Sequence, residues 1–247
     1  MTLPLYLAAP EELASLGPGA ELRLDGPEGR HAATVRRTAV GERLLVGDAA
    51  GRVLTCTVLA VDAAALGLRV DEVRDEPPPD PSFVLVQALA KGDRDDQAIE
   101  AATEIGVDVV VPWQAARSIV QWRGERGERS WRKWDEVLRA ATKQSRRARR
   151  PTLAPAATTA DLATLVAQAT AAYLLHEDAA EPLAGIPVPR SGRVVLVVGP
   201  EGGITPDELG ALTAAGGLPV RLGHSVLRSS SAGPAALAVL SAASRWR

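Results

Sequence analysis

The stretch GPEGG, residues 199–203, places three glycines and a carboxylate directly after a run of valines. Glycine-rich loops after strands often bind phosphates through backbone amides, but this loop lacks a lysine and Glu201 would repel a phosphate. Exposed backbone groups beside a carboxylate suit a neutral or cationic small molecule better. A tight turn without a ligand explains the glycines equally well, so the loop alone leaves both interpretations open.

Two other stretches repeat this arrangement and favour ligand binding. The segment RLGHSVLR, residues 221–228, places Arg228 in a loop between an apolar run and a helix. The run LLHE ends on His176 and Glu177, although a lone histidine at such a place is more often structural than catalytic. Open α/β sheets bind ligands beyond the carboxyl ends of their parallel strands. The sequence therefore favours a ligand site at these loops.

Apolar runs predict the sheet that must carry these loops. After residue 81, near-continuous apolar runs alternate with helical segments, which is typical of strands buried on both faces in a mostly parallel α/β sheet. The runs are FVLVQAL (83–89), VDVVVPW (107–113), AAYLLHE (171–177), VVLVV (194–198) and PVRL (219–222).

Local signals predict where two helices begin. Thr205, Pro206 and Glu208 form a capping-box sequence, which places a helix directly after the glycine-rich loop. Asp93 is expected to cap a second helix that ends at Ile105.

Serines are expected to cap two further helices. Ser130 precedes a segment with Trp131 and Trp134 on one helix face, where core packing is the favoured interpretation of both. The serines after Arg228 precede an Ala-rich helix with Pro234 near its start.

The segment EPPPDP, residues 76–81, is the predicted linker between two domains. Three consecutive prolines fit neither a helix interior nor a central strand. Residues 1–75 hold short β-compatible runs separated by Gly and Asp turns, which indicates a small β-barrel or sandwich. Residues 82–247 form the predicted α/β domain.

Residues 117–150 are strongly basic in a chain whose net charge is −2. Ten Arg and two Lys against four acids give this segment +8, so the rest of the chain carries −10. Arginine pairs bidentately with phosphates, which favours an RNA or DNA backbone as partner. A solvated helix face is the simpler alternative. Stacking of Trp122 on bases is also compatible with the composition.

Composition narrows the class of protein. A hydrophobic content of 46% is typical of a soluble globular protein. No stretch approaches the roughly 20 apolar residues of a membrane span, and the N-terminus lacks the basic region of a signal peptide. The single cysteine, Cys56, is interpreted as a core residue and excludes any multi-cysteine metal site. We therefore expect a cytoplasmic protein without a metal ion.

Taken together, these stretches resemble the RsmE-type family of 16S rRNA methyltransferases in the SPOUT superfamily. KGDR with ATEIGV, followed by GPEGG and then LGxxxLR, forms a highly specific order. The resemblance covers almost the whole chain through HAATVRR, VGERLLVGDAAGR, LAKGDRDDQAIEAATEIGV, ATKQSRR, LLHE, VVGPEGGITPDEL and LGHSVLRSSSA.

This resemblance implies an N-terminal PUA-like β-barrel for RNA binding and a C-terminal SPOUT α/β domain with a trefoil knot. It also implies a homodimer that uses S-adenosylmethionine (SAM) to methylate uridine N3 in the 16S rRNA of the small ribosomal subunit. The implied cofactor-binding residues are Leu175, His176, Glu177, Gly199, Pro200, Glu201, Gly202, Gly203, Leu222, Gly223, Val226, Leu227 and Arg228. The expected RNA-binding residues are His31, Arg36, Arg37, Arg117, Arg146, Arg147, Arg149 and Arg150.

The implied reaction assigns roles to a few charged residues. Uridine N3 carries a proton that must leave, so Arg94 and Arg228 are candidates for stabilising negative charge at the uracil carbonyl oxygens. Glu201 or Glu177 would accept the proton or orient the cofactor. Because N3 lies on the Watson–Crick edge, the target must be unpaired or flipped out.

The chain departs from the family pattern at Ser230, where members often carry a glutamate. This difference argues against an essential carboxylate at that position. Two alternatives follow, a non-catalytic RNA-binding homologue and a SPOUT enzyme that methylates a ribose 2′-hydroxyl.

Overall fold

The computed structural model describes residues 2–246, which form two compact units. The first unit comprises the chain up to Pro78 together with Thr142–Arg150. The second comprises Pro79–Ala141 and the chain from Pro151 onward. The short segment Thr142–Arg150 thus belongs to the first unit, although a division at the proline-rich linker would assign it to the second.

A five-stranded sheet forms the first unit, with strand order β1-β3-β4-β5-β2. All neighbours are antiparallel except β1 and β3. Tyr6, Leu44, Leu54 and Leu68 lie in its core. The strands are β1 (Leu5–Leu7), β2 (Glu21–Leu24), β3 (Arg43–Gly47), β4 (Arg52–Val61) and β5 (Leu66–Asp75). The helical segments are α1 (Pro10–Leu13), α2 (Gly26–Arg30) and a π-helical turn at His31–Val35.

Six parallel strands form the sheet of the second unit, in the order β11-β9-β10-β6-β7-β8. The strands are β6 (Ser82–Ala88), β7 (Val109–Trp113), β8 (Thr152–Leu153), β9 (Ala171–Leu175), β10 (Arg193–Val198) and β11 (Leu218–Val220). The parallel pairing of all six strands confirms the prediction of a mostly parallel α/β sheet. The apolar runs were a usable signal because the side chains of β6 and β10 pack into the core on both faces of the sheet.

Helices cover both faces of this parallel sheet. Phe83 and Leu85 of β6 contact one apolar cluster, and Val84 and Val86 contact another on the opposite face. The first cluster includes residues of α3, α4 and α7, whereas the second includes residues of α5 and α6. The helices are α3 (Arg94–Ile105), α4 (Gly124–Ser145), α5 (Thr159–Ala167), α6 (Pro206–Ala214) and α7 (Ser229–Ala243), with a 3-10 turn at Leu183–Gly185.

Two of the predicted helix starts are correct. At α6, the Thr205 hydroxyl accepts a hydrogen bond from the Glu208 amide, and the Glu208 carboxylate accepts one from the Thr205 amide. Helix α3 begins directly after Asp93 and ends at Ile105 as expected, but the Asp93 side chain caps no amide. The capping box therefore fixes the helix that follows the glycine-rich loop.

The two predicted serine caps are wrong. Helix α4 begins at Gly124, six residues before Ser130, although Gly124 and Gly127 are poor helix formers. At α7 the N-cap is Arg228, whose carbonyl accepts from the amides of Ser231 and Ala232. Pro234 lies within this helix.

Within residues 2–246, no helix has the length and apolar character needed to cross a membrane. Cys56 is fully buried, as predicted for a core residue. Burial raises the pKa of its thiol to about 12, so it is no reactive nucleophile.

Candidate functional site

One cavity of about 370 Å³ lies beyond the carboxyl ends of β9 and β10 in the second unit. Three loops line it, after β9, after β10 and before α7. Its lining consists of Arg94, Leu175, His176, Glu177, Val198, Gly199, Pro200, Glu201, Gly203, Ile204, Val226, Leu227, Arg228, Ser229 and Ala232. The three stretches singled out in the sequence therefore meet at one place in the fold.

An ion pair joins two charged groups of this cavity. Arg94 Nη1 donates to Glu201 Oε1 at 2.7 Å, and the backbone amide of Lys91 donates to the same oxygen at 3.3 Å. The Arg94 side chain is 47% exposed and the Glu201 side chain 27% exposed. The pair connects the loop before α3 to the glycine-rich loop.

The surroundings of Glu201 keep its carboxylate ionised. Burial alone would raise its pKa, but hydrogen bonds from its own amide, from Arg94 and from the Lys91 amide outweigh burial and lower the pKa. A carboxylate with a lowered pKa is a weak proton acceptor. Glu201 is therefore better suited to orienting Arg94 or a cationic ligand than to accepting a proton.

Glycine is required at two positions of the loop after β10. A Cβ on Gly199 would lie 2.7 Å from Ile204 Cγ1 and 3.3 Å from the Ile204 amide nitrogen. Gly203 has φ +75°, a conformation that side chains rarely adopt. These glycines let the chain turn tightly enough for its backbone to line the cavity.

Glu208 is a buried carboxylate that holds three segments together. Its Oε1 accepts from the Ala116 amide at 2.8 Å and from Thr159 Oγ1 at 3.2 Å. Its Oε2 accepts from the amide and the hydroxyl of Thr205 at 3.0 and 2.9 Å. Although burial alone would raise the pKa of Glu208, these hydrogen bonds lower it. The loop after β7 and the start of α5 are thus fixed to the glycine-rich loop.

Arg117 contacts the glycine-rich loop directly. Its Nη1 donates to the Gly202 carbonyl at 2.7 Å, and a Cβ on Gly202 would lie 3.2 Å from Arg117 Cβ. Arg117 is an expected RNA-binding residue, and in the structure one of its guanidinium nitrogens is already engaged. Gly202 accordingly faces Arg117 and does not line the cavity.

Asp95 is a buried acid next to the cavity residue Arg94. Its carboxylate accepts from the amides of Ala90 and Asp96 at 3.4 and 3.0 Å. Burial, followed by repulsion from Asp96, raises its pKa to about 6. The acid therefore titrates well above its ordinary range, at the start of α3 next to Arg94.

Three of the expected cofactor-binding residues fall outside the main cavity. Gly202 contacts Arg117, whereas Leu222 and Gly223 line a smaller neighbouring pocket of about 90 Å³. This smaller pocket also includes His176, Val226 and other residues of the main cavity, so the two spaces adjoin. The remaining expected residues all line the main cavity.

The histidine at the end of β9 has a structural contact. His176 Nδ1 accepts a hydrogen bond from the Asp178 amide, and the His176 amide donates to the Val220 carbonyl. Glu177, the next residue, is exposed at the cavity. His176 therefore holds its own turn and also lines the cavity.

Several lining residues carry no recognisable signal in the sequence. Val198, Ile204 and Ser229 all line the cavity. In the sequence, Val198 and Ile204 are recognisable only as a strand and a loop residue, and Ser229 was interpreted as a helix cap. Among the residues that the structure describes, the buried Ser229 hydroxyl has no hydrogen-bond partner. The serines after Arg228 were a signal for this group, but a local pattern cannot distinguish a cap from a cavity hydroxyl.

The expected RNA-binding residues lie in different surroundings. His31, at the start of the π-helical turn, and Arg36 and Arg37, directly after its end, are exposed in the first unit. Arg146 is exposed with φ +57°, whereas Arg149 donates through Nε and Nη2 to the Glu76 carbonyl. Arg147 and Arg150 are half-buried, and burial lowers the pKa of Arg150.

The charges of the basic segment 117–150 are divided between the two units and are partly paired. The first part of the segment belongs to the second unit and its last nine residues to the first. Lys143 forms an ion pair of 2.7 Å with Glu28, and Lys133 forms one with Asp96. Its charge of +8 is therefore partly neutralised within the fold.

Potential metal ligands are dispersed. In the described part of the chain, no three His, Cys, Asp or Glu side chains come together in a group that would hold a metal ion.

Comparison with known proteins gives a consistent result. The model of the family described as RNA methyltransferase domain matches residues 77–241. The ribosomal RNA small subunit methyltransferase E of Mycobacterium tuberculosis is 46% identical over 233 residues, covering 92% of this chain and 89% of the relative.

Solved structures agree along almost the whole chain. A Legionella pneumophila methyltransferase solved in complex with the cofactor SAM has a TM-score of 0.83 at 26% identity, with 99% of each chain covered. A ribosomal RNA small subunit methyltransferase E from Neisseria gonorrhoeae bound to S-adenosyl methionine has the same TM-score at 24% identity, with 98% of each chain covered. The latter shows a shared fold. Given the family match and the mycobacterial relative, the chain belongs to the family of RNA methyltransferases that includes the ribosomal RNA small subunit methyltransferase E proteins.

Proposed function

We propose that this protein transfers a methyl group from SAM to N3 of a uridine in the 16S rRNA of the small ribosomal subunit. The observation that carries the proposal is the meeting of three loops at one cavity beyond the parallel strands, in a chain of the RNA methyltransferase family. Open parallel sheets bind ligands at this edge.

The residues of the cavity fit SAM. Its volume of about 370 Å³ lies in the range of roughly 300–1,000 Å³ that small-molecule sites occupy. Leu175, Val198 and Ile204 offer an apolar wall for an adenine ring, and the carboxylate of Glu177 suits a cationic group. The buried Ser229 hydroxyl has no hydrogen-bond partner within residues 2–246. It is therefore available to form a hydrogen bond with a polar ligand.

The chain contributes binding, orientation and charge. Bound SAM supplies an electrophilic methyl group on a sulfonium centre. Arg94 and Arg228 line the cavity and would stabilise negative charge on the uracil carbonyl oxygens as the N3 proton leaves. Glu201, whose pKa is lowered, holds Arg94 in place. In this proposal the proton leaves to solvent, since stabilisation of the uracil anion makes N3 more acidic.

The proposed substrate requires contacts with RNA outside the cavity. The target base must be unpaired or flipped out because N3 lies on its Watson–Crick edge. Exposed basic residues such as Arg36, Arg37 and Arg146 would contact the phosphates around it. Residues 1–75 would serve as the RNA-binding domain, and residues 82–247 as the catalytic domain beyond the linker 76–81.

The finer features of the fold are part of the same proposal. The five-stranded sheet of the first unit supports a PUA-like barrel. The order β11-β9-β10-β6, in which β10 lies between two earlier strands, supports a trefoil knot in a SPOUT domain. We further propose that the protein is a cytoplasmic homodimer. Sedimentation equilibrium would measure the mass of the assembly.

Two measurements test the function. Calorimetric titration with SAM is expected to show stoichiometric binding, and incubation with small ribosomal subunits lacking the modification is expected to add one methyl group. Mass-spectrometric mapping would then locate it on a uracil base. Absence of SAM binding would favour a non-catalytic RNA-binding protein, and a methyl group on a ribose would favour the 2′-hydroxyl alternative.

A further inference from the structure

A second pocket lies in the second unit and shares no lining residue with the cavity described above. It measures about 700 Å³ and has a mostly apolar lining. We call it the tryptophan pocket. Its lining residues are Trp122, Gly124, Gly127, Glu128, Trp131, Arg132, Pro155 and Ala156.

The pocket arises from two glycines on one face of α4. Lining positions recur at spacings of three and four along the first turns of this helix, which places them on one side. A Cβ on Gly124 would meet no atom within 4 Å, so the absent side chain leaves open space. A Cβ on Gly127 would lie 2.8 Å from the Trp122 carbonyl carbon, so glycine is what lets Trp122 approach the helix.

Both tryptophans at the pocket are held by the fold but stay half-exposed. The ring of Trp122 packs edge-on against the buried Trp134, with centroids 5.0 Å apart at 78°. Its amide donates to Gln114 Oε1 at 3.1 Å, and Trp131 Nε1 donates to the Ala154 carbonyl at 3.0 Å. Two oriented aromatic side chains thus border an open apolar space.

The charge of the surrounding surface is positive. Residues 122–133 include four arginines, one lysine and two acids. Arg123, Arg126 and Arg129 are exposed and form no ion pair with any residue that the structure describes. Arg132, at the pocket itself, pairs with Glu128 at 3.2 Å, but both side chains are more than 60% exposed, so the pair is weak.

We propose that the tryptophan pocket binds one unpaired base of the RNA substrate. Oriented aromatic surfaces beside arginines suit a base that stacks while its phosphate is attracted to the cations, a combination typical of single-strand binding. A neutral apolar ligand would explain the tryptophans but not the charge. The inference rests on the proposed function, since it names a second contact for the same RNA.

The test uses a matched pair of charge substitutions in the full chain. Ala156 lines the pocket and is exposed, so Ala156→Glu places a carboxylate there without removing core packing. Ala160→Glu adds the same charge at an exposed position of α5 outside the pocket. Trp122→Leu removes the aromatic surface and keeps an apolar side chain. Binding of a short single-stranded RNA is measured at fixed ionic strength, alongside calorimetric SAM binding.

Ala156→Glu and Trp122→Leu are expected to weaken RNA binding by about fivefold or more, the equivalent of one stacking contact, with SAM binding unchanged. Ala160→Glu is expected to match the unmodified protein. An RNA of the same length without bases should not distinguish Ala156→Glu from Ala160→Glu.

Equal RNA affinities for the two glutamate variants would overturn the inference. So would a lower sedimentation mass for Ala156→Glu, because the pocket would then be covered by a second copy of the chain. The proposed function is tested independently. It would be contradicted if the unmodified protein neither bound SAM nor transferred a methyl group, and the comparison of RNA binding between the two glutamate variants could still be interpreted in that case.

Discussion

Arg94 and Glu201 are 107 residues apart in the chain, yet their charged groups form a 2.7 Å ion pair at the cavity. The pair joins the KGDR stretch to the GPEGG stretch, two segments that the sequence singled out separately. Two residues assigned to catalysis are therefore partners in the structure. In the proposed reaction Arg94 acts on the substrate, and its orientation then depends on the carboxylate of Glu201.

Arg94 and Glu201 are expected to behave as a unit. Arg94→Ala should lower kcat for methyl transfer by about 10- to 100-fold, because a cationic donor to the developing charge is lost. Glu201→Gln should reduce it less, and the double variant should be no worse than Arg94→Ala alone. Steady-state kinetics on small ribosomal subunits measures this. Arg190→Ala, which removes an exposed arginine outside the cavity, serves as the control. Additive losses would mean that the two side chains act independently.

Arg228 is expected to act on the substrate more than on the cofactor. Arg228→Ala should lower kcat by about 10-fold or more, with little change in the dissociation constant for SAM. The helix start at α7 should survive, because the backbone carbonyl of Arg228 and not its side chain accepts the first hydrogen bonds. If SAM affinity falls while kcat is kept, Arg228 holds the cofactor instead.

Gly199 is expected to tolerate no side chain. Gly199→Ala puts a methyl group 2.7 Å from Ile204 Cγ1, so we expect a loss of about 1–3 kcal/mol in unfolding free energy and weaker SAM binding. Gly210 in α6 is the matched control, since a Cβ there meets no atom within 4 Å. Gly210→Ala should stabilise the protein by up to about 1 kcal/mol. Urea denaturation and calorimetry measure both; equal stabilities would refute the steric argument.

Asp95 is expected to make stability depend on pH. Its pKa is about 6 in the fold against an ordinary 3.8, so the folded state binds the proton more tightly than the unfolded state. The unfolding free energy should therefore fall by about 2–3 kcal/mol as pH rises from 4 to 6, and then level off. Asp95→Asn should remove this slope and be the more stable protein at pH 7. Denaturant unfolding across pH measures it, with Glu100→Gln on the exposed face of α3 as control. A slope that persists in Asp95→Asn would assign it to another group.

The sheet and several helix limits were predictable because the signals are local. Apolar runs alone located β6 and β10, and the capping box at Thr205 located the start of α6. The start of α4 was not predictable, because Gly124 and Gly127 are poor helix formers. Gly127 is where Trp122 approaches the helix most closely, a contact that no local sequence signal records.

The candidate site was predictable in its loops and not in its pairings. The residues after β9 and β10 are recognisable from their position at strand ends. The bond from Arg94 to Glu201 depends on how separate segments meet, and no spacing in the sequence records it. The same holds for Arg117, whose nearest polar partner, Gly202, is 85 positions away.

The buried carboxylate of Glu208 has a consequence for how this enzyme family can change. Two of its four hydrogen bonds, at 2.8 and 3.2 Å, make the position of the glycine-rich loop depend on Ala116 and Thr159, neither of which lines the cavity. A substitution at Thr159 would alter the shape of the cavity without altering any group that contacts a ligand. The affinity for the cofactor can therefore change through residues that do not contact the cofactor. Substitutions in the loop after β7, at the start of α5 and in the glycine-rich loop should be inherited together.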